Sequence, residues 1–216
     1  MNLRKSLSTI LFAILFFGVG TYSQQVFAQS SATVSQGEKQ EDETNLETQL
    51  YLLVATNQDI DDAKLPTALE SVVKQLRASL PFKNYRLAAT VINRVKNDGR
   101  LNLKWIGGPL VPSGAVSATT PSFNEFKVNN VKLVKNAAGH PVVRMEGFGF
   151  GVRIPIITAS TVAANGPTMP IFNYENTGLN TDISMREGEP VVVGTLNIGP
   201  SGDAIILVMS AKSTNK

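Results

Sequence analysis

The chain has a single imidazole, His140, so any hydrolytic scheme that needs a histidine base depends on this residue. It lies in Ala137-Ala138-Gly139-His140-Pro141, a pattern typical of a turn before a strand. No Gly-x-Ser-x-Gly elbow accompanies it. One histidine and no cysteine also exclude multi-histidine and thiolate metal sites within one chain. We therefore predict that His140 is a solvated turn residue without a catalytic role.

A cluster of oxygen-bearing side chains has part of a calcium-binding pattern. Asn57, Asp59 and Asp61 have the spacing of the first three ligands of an EF-hand loop. That loop then needs a glycine where Asp62 stands and a bidentate glutamate where Ala68 stands. An EF-hand is excluded, and we interpret the cluster as acidic residues at the positive end of a helix, with loose calcium binding as the alternative.

Glycoside hydrolases use two carboxylates about 5–10 Å apart. Glu146 and Glu175 are the candidates for such a pair, although nothing in the sequence brings them together. A Ser-Lys pair is a further hydrolytic arrangement. We predict no catalytic residue, no cofactor and no metal, and keep a cell-wall or polysaccharide-directed hydrolase using carboxylates as the alternative function.

Glycine occupies every second position of Gly147-Phe148-Gly149-Phe150-Gly151-Val152. In a strand this places the glycines on one face and the apolar side chains, continuing to Ile154, on the other. A phosphate-binding loop needs a different spacing and a following helix. We predict a strand with an apolar core face and a bare face against which a ring packs, with Trp105 as the candidate neighbour. A ligand or partner groove over the glycines is the alternative.

Between residues 83 and 104 basic residues outnumber acidic ones by six to one; the six are Lys83, Arg86, Arg94, Lys96, Arg100 and Lys104. Arg86, Arg94 and Lys96 share parity, so we expect them to project from one face of a strand. Together with Trp105 they are the candidate binding residues for an envelope protein or an anionic envelope polymer. The alternative is a solvated face whose charges guard a sheet edge. The lack of interleaved aromatic residues argues against nucleic acid.

The elements that carry these residues follow from periodicity. An apolar stripe with helical spacing predicts one helix that ends at Pro81; its members are Leu65, Leu69, Val72, Val73, Leu76 and Leu80. Runs typical of strands cover 50–55, 85–96, 101–105, 123–128, 131–134, 142–157, 171–174, 180–185, 190–196 and 204–210. Asp98-Gly99 predicts a hairpin turn.

These elements predict an α+β fold, in which an N-terminal strand-helix-β-hairpin unit is continuous with an antiparallel β-sandwich. We expect one domain over residues 48–213, since a chain of this length supports a single core. An acidic, Ser/Gln-rich segment at 29–47 precedes it and is predicted to be a disordered linker.

Residues 1–28 have the features of a secretory signal peptide. Arg4 and Lys5 precede an apolar run from Leu7 to Gly20, and Val26-Phe27-Ala28 suits a signal peptidase. Cleavage after Ala28 is the first prediction, with Gly20 and an uncleaved anchor as alternatives. Without Arg4 and Lys5 the net charge falls from +3 to +1, a field too small to steer a nucleic acid. The absence of cysteine also excludes disulfides and a lipid-modified cysteine.

The segment Ile183-Ser184-Met185-Arg186-Glu187-Gly188-Glu189-Pro190-Val191-Val192-Val193-Gly194-Thr195-Leu196 resembles a strand-turn-strand pattern of the bacterial secretin β-domain. It departs at Gly194-Thr195, where the family has a second glycine. The opening strand-helix-strand pattern is similar to secretin periplasmic N-domains, and the chain as a whole resembles exported bacterial proteins. The resemblance implies an envelope-assembly or accessory role and assigns no functional residue.

The sequence thus predicts an exported, non-catalytic binding or envelope-assembly accessory domain, located in the periplasm or secreted. Its expected partner is an envelope protein or an anionic envelope polymer. We expect contact with a membrane only through the signal segment, if that segment is not cleaved.

Overall fold

The computed structural model describes residues 44–59, 65–110, 120–162, 168–198 and 202–214. The predicted signal peptide, most of the predicted linker, and Asp61 and Asp62 lie outside the described residues. The elements are β1 (Asn45–Thr56), a 3-10 turn (Thr67–Leu69), α1 (Glu70–Ser79), β2 (Asn84–Lys96), β3 (Gly99–Gly107), β4 (Ser122–Lys135), β5 (Pro141–Val162), β6 (Thr168–Arg186), β7 (Val191–Ile198) and β8 (Asp203–Ser213).

The strands form two four-stranded antiparallel sheets. Sheet A has the order β2-β1-β8-β7, and sheet B has the order β3-β4-β5-β6. The prediction of a β-rich, antiparallel fold is confirmed. The predicted N-terminal strand-helix-β-hairpin unit is not confirmed, because β1 and β2 share sheet A with β7 and β8, whereas β3 lies in sheet B.

The two central strands of sheet A are buried on both faces. Along β1, Leu50, Leu52 and Val54 contact the core between the sheets. The alternating residues Leu53 and Ala55 belong to a second core on the other side of the sheet. This explains why the sequence of β1 is a continuous apolar run rather than an alternating one.

Helix α1 closes the second core. Leu69, Val72, Val73 and Leu76 are buried there, as the apolar stripe predicts. The helix ends at Ser79, and the Leu80 N–H donates to the Leu76 carbonyl just before Pro81. The predicted stripe is therefore confirmed.

Sheet B contributes the largest side chains of the core between the sheets. Phe148, Phe150, Val152 and Ile154 of β5 are at most 2% exposed, which confirms the predicted apolar face. The Phe126 and Phe148 rings lie 5.3 Å apart between centroids. Each such buried side chain contributes roughly 1.5–3 kcal/mol to folding.

Several boundaries differ from the predicted ones. β1 begins at Asn45 and so includes the last three residues assigned to the linker, among them the fully buried Leu46. The segments 123–128 and 131–134 form the single strand β4, and 171–174 and 180–185 belong to the single strand β6. The predicted break in β4 falls at the polar pair Asn129-Asn130, but the strand continues through this pair and keeps the same register with β5 on both sides of it.

The predicted hairpin at Asp98-Gly99 is wrong, because the turn crosses from one sheet to the other. β2 pairs with β1, whereas β3 pairs with β4. Asn97 joins the two sheets: its N–H donates to the Thr44 carbonyl, and its Oδ1 accepts from the Leu133 N–H at 2.8 Å. Asp98 is left-handed (φ 58°), and a Cβ on Gly99 would lie 2.6 Å from the Lys96 carbonyl oxygen. The Asp-Gly pair predicts a tight turn but not which strand pairs next.

The β6–β7 turn makes a second crossing at the same end of the sandwich, which we call the corner end. The Glu187 N–H donates to the Pro141 carbonyl of β5 in sheet B. The Glu187 carboxylate accepts from the Ser213 N–H at 2.7 Å and from the Ser213 hydroxyl, at the end of β8 in sheet A. These hydrogen bonds hold the pKa of Glu187 below its ordinary value of 4.5.

Removing the Asn97 amide should destabilise the corner. Asn97→Ala leaves the Leu133 N–H without its acceptor, so we expect a loss of about 1–3 kcal/mol in the free energy of unfolding. Urea denaturation measures it, with Asn102→Ala on the exposed side of β3 as the matched control. Equal stability of the two variants would contradict the bridging role.

Glu187 should make stability depend on pH in the acidic range. Because its folded pKa is lowered, its contribution is complete above pH 4.5 and is lost as the pH falls through the folded pKa. Glu187→Gln should therefore be less stable at neutral pH and show a shallower acid-induced loss, measured by urea midpoints over a pH series. Glu189→Gln, in the same turn but exposed, serves as the control; an identical pH profile for wild type and Glu187→Gln would contradict the assignment.

Candidate functional site

The two sheets differ in what covers their outer faces. α1 covers the outer face of sheet A, whereas none of the described elements packs on the outer face of sheet B. Residues opposite one another in an antiparallel pair share a face. Three rows therefore cross the open face of sheet B: Asn102-Lys127-Gly149-Asn180, Lys104-Glu125-Gly151-Gly178 and Ile106-Phe123-Arg153-Asn176.

Two adjoining depressions, of about 480 and 380 Å³, lie over these rows. We call them together the glycine groove. Its floor is Gly149, Gly151 and Gly178, and it is flanked by Lys104, Glu125 and Lys127 on one side and by Asn176 and Asn180 of β6 on the other. Both depressions include Glu125, Gly151 and Asn176, so the groove is continuous.

The three glycines serve different purposes. A Cβ on Gly151 would meet nothing within 4 Å, so this position is simply open. A Cβ on Gly149 would lie 2.6 Å from the Lys127 side chain and 2.7 Å from Asn180 Oδ1. A Cβ on Gly178 would collide with the Phe150 carbonyl oxygen, which is backbone and cannot move aside cheaply. Two of the glycines thus permit close approach, and Gly151 leaves free space.

An aromatic and cationic cluster closes one end of the groove. The Phe123 and Tyr174 rings lie 5.5 Å apart, and the Arg153 guanidinium lies 5.9 and 5.7 Å from their centroids. The Tyr174 hydroxyl donates to the Pro121 carbonyl at 3.2 Å, which fixes the cluster. Phe123 remains 40% exposed, and the neighbouring Ile106 is 70% exposed.

The charges around the groove are mainly positive. Lys104, Lys127 and Arg153 contribute three positive charges, against the carboxylate of Glu125. Lys104 lies 3.5 Å from Glu125. Among the described residues Glu125 is the only carboxylate of the lining, so these residues provide no carboxylate pair and suit the binding of anionic or polar groups.

The predicted basic face is divided by a bulge. Arg86 pairs with Val54, whose side chain is in the core between the sheets, and donates to the Pro109 carbonyl at 3.3 Å. Arg94 pairs with Glu47 on the opposite face of the sheet, and Lys96 pairs with Asn45 on that same face. The register shifts at Leu52/Leu53, where an additional residue of β2 reverses the alternation. The prediction that all three project from one face is therefore wrong.

Arg94 and Lys96 are exposed on edge strand β2. Arg94 faces the Glu47 carboxylate, whose pKa is lowered mainly by a hydrogen bond from Lys212 and to a smaller extent by the charge of Arg94. The basic surface at this edge is consequently smaller than the sequence suggests.

Trp105 lies on the core face of sheet B. It pairs with Asn124, which pairs with the buried Val152, and its ring centroid is 6.5 Å from that of Phe150. The prediction that its ring packs on the glycine face is wrong. Side chains alternate between the two faces of a sheet, and the row that contains Trp105 lies on the face opposite to the glycines. The depressions over the glycines lie on the face of the sheet opposite to the Trp105 ring, and a ligand or partner groove there stays a prediction.

The other candidate residues do not assemble into a reactive site. Glu146 pairs with Asn130 on the open face, whereas Glu175 pairs with the core residue Ile154, eight positions along β5 and more than about 20 Å away. His140 is an exposed turn residue whose N–H donates to Asn136 Oδ1. Among the described residues no group of three or more His, Cys, Asp or Glu side chains could hold a metal.

Sequence reasoning did not single out Lys127, Arg153, Asn176 or Asn180. Each of them lies on the same face of sheet B as the glycines once β4, β5 and β6 are placed in register. A third glycine, Gly178, indicates the position of the groove on β6 because it pairs with Gly151. The sequence alone does not predict this pairing.

A second exposed feature is the end of the β5–β6 hairpin, which we call the ribbon (155–162 and 168–174). The pairing of β5 with β4 stops at Arg153, and beyond it β5 pairs only with β6. The ribbon exposes Ile157 (39%), Met169 (65%) and Ile171 (44%).

No helix in the described part of the chain is long and apolar enough to cross a membrane.

No family model and no curated protein matches the sequence. Solved structures that it matches include the secretin domain of InvG from the Salmonella SPI-1 injectisome (12% identity, 80% of this chain and 64% of that one, TM-score 0.35). Others are the Vibrio cholerae type IV competence pilus secretin PilQ (10%, 80% and 58%, 0.31) and PulD in the Klebsiella pneumoniae type II secretion outer membrane complex (13%, 80% and 39%, 0.32). The chain spans less than two thirds of each. All are secretins, the family that residues 183–196 resemble.

The two paired glycines of the groove should respond differently to an added side chain. Gly178→Val forces a clash with backbone and should cost about 1–3 kcal/mol of unfolding free energy. Gly151→Val enters open space in a strand and should change stability by less than about 0.5 kcal/mol. Urea denaturation measures both, with Ser184→Val on the exposed side of β6 as the control. Equal losses at the two glycines would contradict the described floor.

Proposed function

We propose that the chain is an exported, non-catalytic binding domain that serves in the assembly of a cell-envelope complex by contacting an envelope protein through the ribbon. The observation that carries this proposal is the set of exposed apolar side chains at the end of the β5–β6 hairpin. Met169 and Ile171 lie two residues apart on the same face of the ribbon, and contiguous exposed apolar patches are typical of protein interaction sites.

The ribbon has a physical reason to bind a partner. An isolated two-stranded ribbon is at best marginally stable in water, since it has no core of its own. Ile157 lies on one face, while Met169 and Ile171 lie on the other. A protein partner that covers both faces would remove this apolar surface from water and order the ribbon at the same time.

The location follows from the first part of the chain. Residues 1–28 are proposed as the signal peptide, the residues from 29 to the start of β1 as the linker, and the remainder as a single domain in the periplasm or outside the cell. The resemblance of residues 183–196 to the secretin β-domain supports an accessory role in an envelope complex.

The non-catalytic part of the proposal is supported by the arrangement of titratable groups. The carboxylates of Glu146 and Glu175 lie on opposite faces of sheet B, and Glu125 is the only carboxylate that the described part of the chain contributes to the glycine groove. Arg94 and Lys96 stay in the proposal as an exposed basic pair on edge strand β2. Arg86 lies on the core face of sheet A and is left out of the proposal, whereas Trp105 is kept because it lines the first depression.

Site-specific photo-crosslinking in the native envelope tests the proposal. A crosslinking residue at Ile171 should yield one discrete adduct with an envelope protein, whereas the same residue at the exposed helix position Gln75 should not. The double variant Met169→Ser/Ile171→Ser should reduce the adduct formed from position 157 by roughly tenfold, because its apolar contact is lost.

The unfolding midpoint of the double variant should stay unchanged, which separates lost binding from lost folding. Equal adducts from positions 75 and 171 would contradict a specific contact at the ribbon. Hydrolysis of a cell-wall substrate by the purified protein would contradict the non-catalytic role.

A further inference from the structure

We propose that the glycine groove is a second binding site, for an anionic polysaccharide chain. This inference rests on the proposed function, because it assumes a binding domain of the cell envelope. The groove lies on the face of sheet B, whereas the proposed protein contact lies on the ribbon beyond Arg153.

The backbone of Gly149 and Gly151, the β5 part of the groove floor, cannot accept an added strand. Gly149 pairs with Lys127 on one side and Asn180 on the other, and Gly151 pairs with Glu125 and Gly178. The ladder hydrogen bonds of these residues are directed within the sheet, toward β4 and β6. Peptides that extend a sheet bind at an edge through free backbone groups. An occupant of this groove must therefore be recognised through side chains and shape.

The floor fits a flat ring. Glycine presents only Cα hydrogens, and the space above Gly151 is open to at least 4 Å. The exposed part of Phe123 continues this apolar surface at one end of the groove. The C–H face of a sugar ring can pack on such a surface, while its hydroxyls point sideways toward the walls.

The walls offer the partners that hydroxyls need. Asn176 and Asn180 lie on the same side of β6, four residues and about 13 Å apart along the strand. Each amide can both donate and accept, which suits hydroxyl groups that also do both. Because both amides lie along β6, the groove is suited to a chain of sugar units that runs with the strand.

The charges select an anionic chain over a neutral one. Lys127 lies beside the floor at Gly149, and Lys104 and Arg153 lie toward the Phe123 end. Glu125 offsets one of these three charges by its contact with Lys104. The remaining excess favours carboxylates spaced along the chain.

Binding of defined oligomers to the full chain tests the inference by titration calorimetry. The probes are an oligogalacturonate, a neutral dextran oligomer of the same length, and poly-L-glutamate of the same charge. We expect the oligogalacturonate to bind at least about tenfold more tightly than either comparison probe, since only it provides both hydroxyls and carboxylates.

Two variants should weaken oligogalacturonate binding by about tenfold or more: Lys127→Ala removes a charge, and Gly151→Val fills the floor. Ser184→Val, on the same face of the sheet but outside the groove, should bind as wild type does. Three results would overturn the inference: no binding of oligogalacturonate at millimolar concentration, equal binding of poly-L-glutamate, or unchanged binding by Gly151→Val.

The inference and the proposed function fail separately. If Gly151→Val loses oligogalacturonate binding but keeps the Ile171 adduct, both stand as distinct sites. If the oligogalacturonate does not bind while the Ile171 adduct forms, only the polysaccharide site is rejected.

Discussion

The burial of β1 and β8 on both faces is the constraint on which the architecture depends. These two strands are apolar on both sides, so sheet A must be covered twice. Sheet B covers one side, and the short helix α1 covers the other. No described element is left to cover the outer face of sheet B. The open outer face of sheet B is thus a direct consequence of where the helix was needed.

The contacts that join the two sheets and the exposed ribbon lie at opposite ends of the sandwich. Asn97 and Glu187 tie the sheets together at the corner end, each with partners in both sheets. The ribbon lies beyond Arg153, at the opposite end of β5 from Pro141. Ile157, Met169 and Ile171 are exposed on the ribbon, whereas Val191 and Val192 are exposed at the start of β7, next to the β6–β7 turn.

Much of the fold could be predicted from local patterns. The stripe of α1, the alternation of β5 and the turn residues at Asp98-Gly99 each have a local physical cause, and the structure contains all three. What could not be predicted depends on pairing. The bulge in β2 separates Arg86 from Arg94, and the glycine groove needs three strands in register before Lys127 and Asn180 meet Gly149. The alternation of side chains within one strand predicts neither the bulge nor the groove, because a single additional residue reverses the face on which the following side chains lie.

The closure of β1 against β8 has a topological consequence. The Thr214 N–H and hydroxyl both donate to the Asn45 carbonyl, at 2.8 and 3.0 Å. The start of β1 and the end of β8 therefore lie side by side. A short peptide could join these positions without stretching either strand, and the chain could be reopened at an exposed loop. The arrangement of the strands in the sheets therefore does not depend on which strand comes first in the sequence. Circularly permuted chains of this domain should reach the same fold.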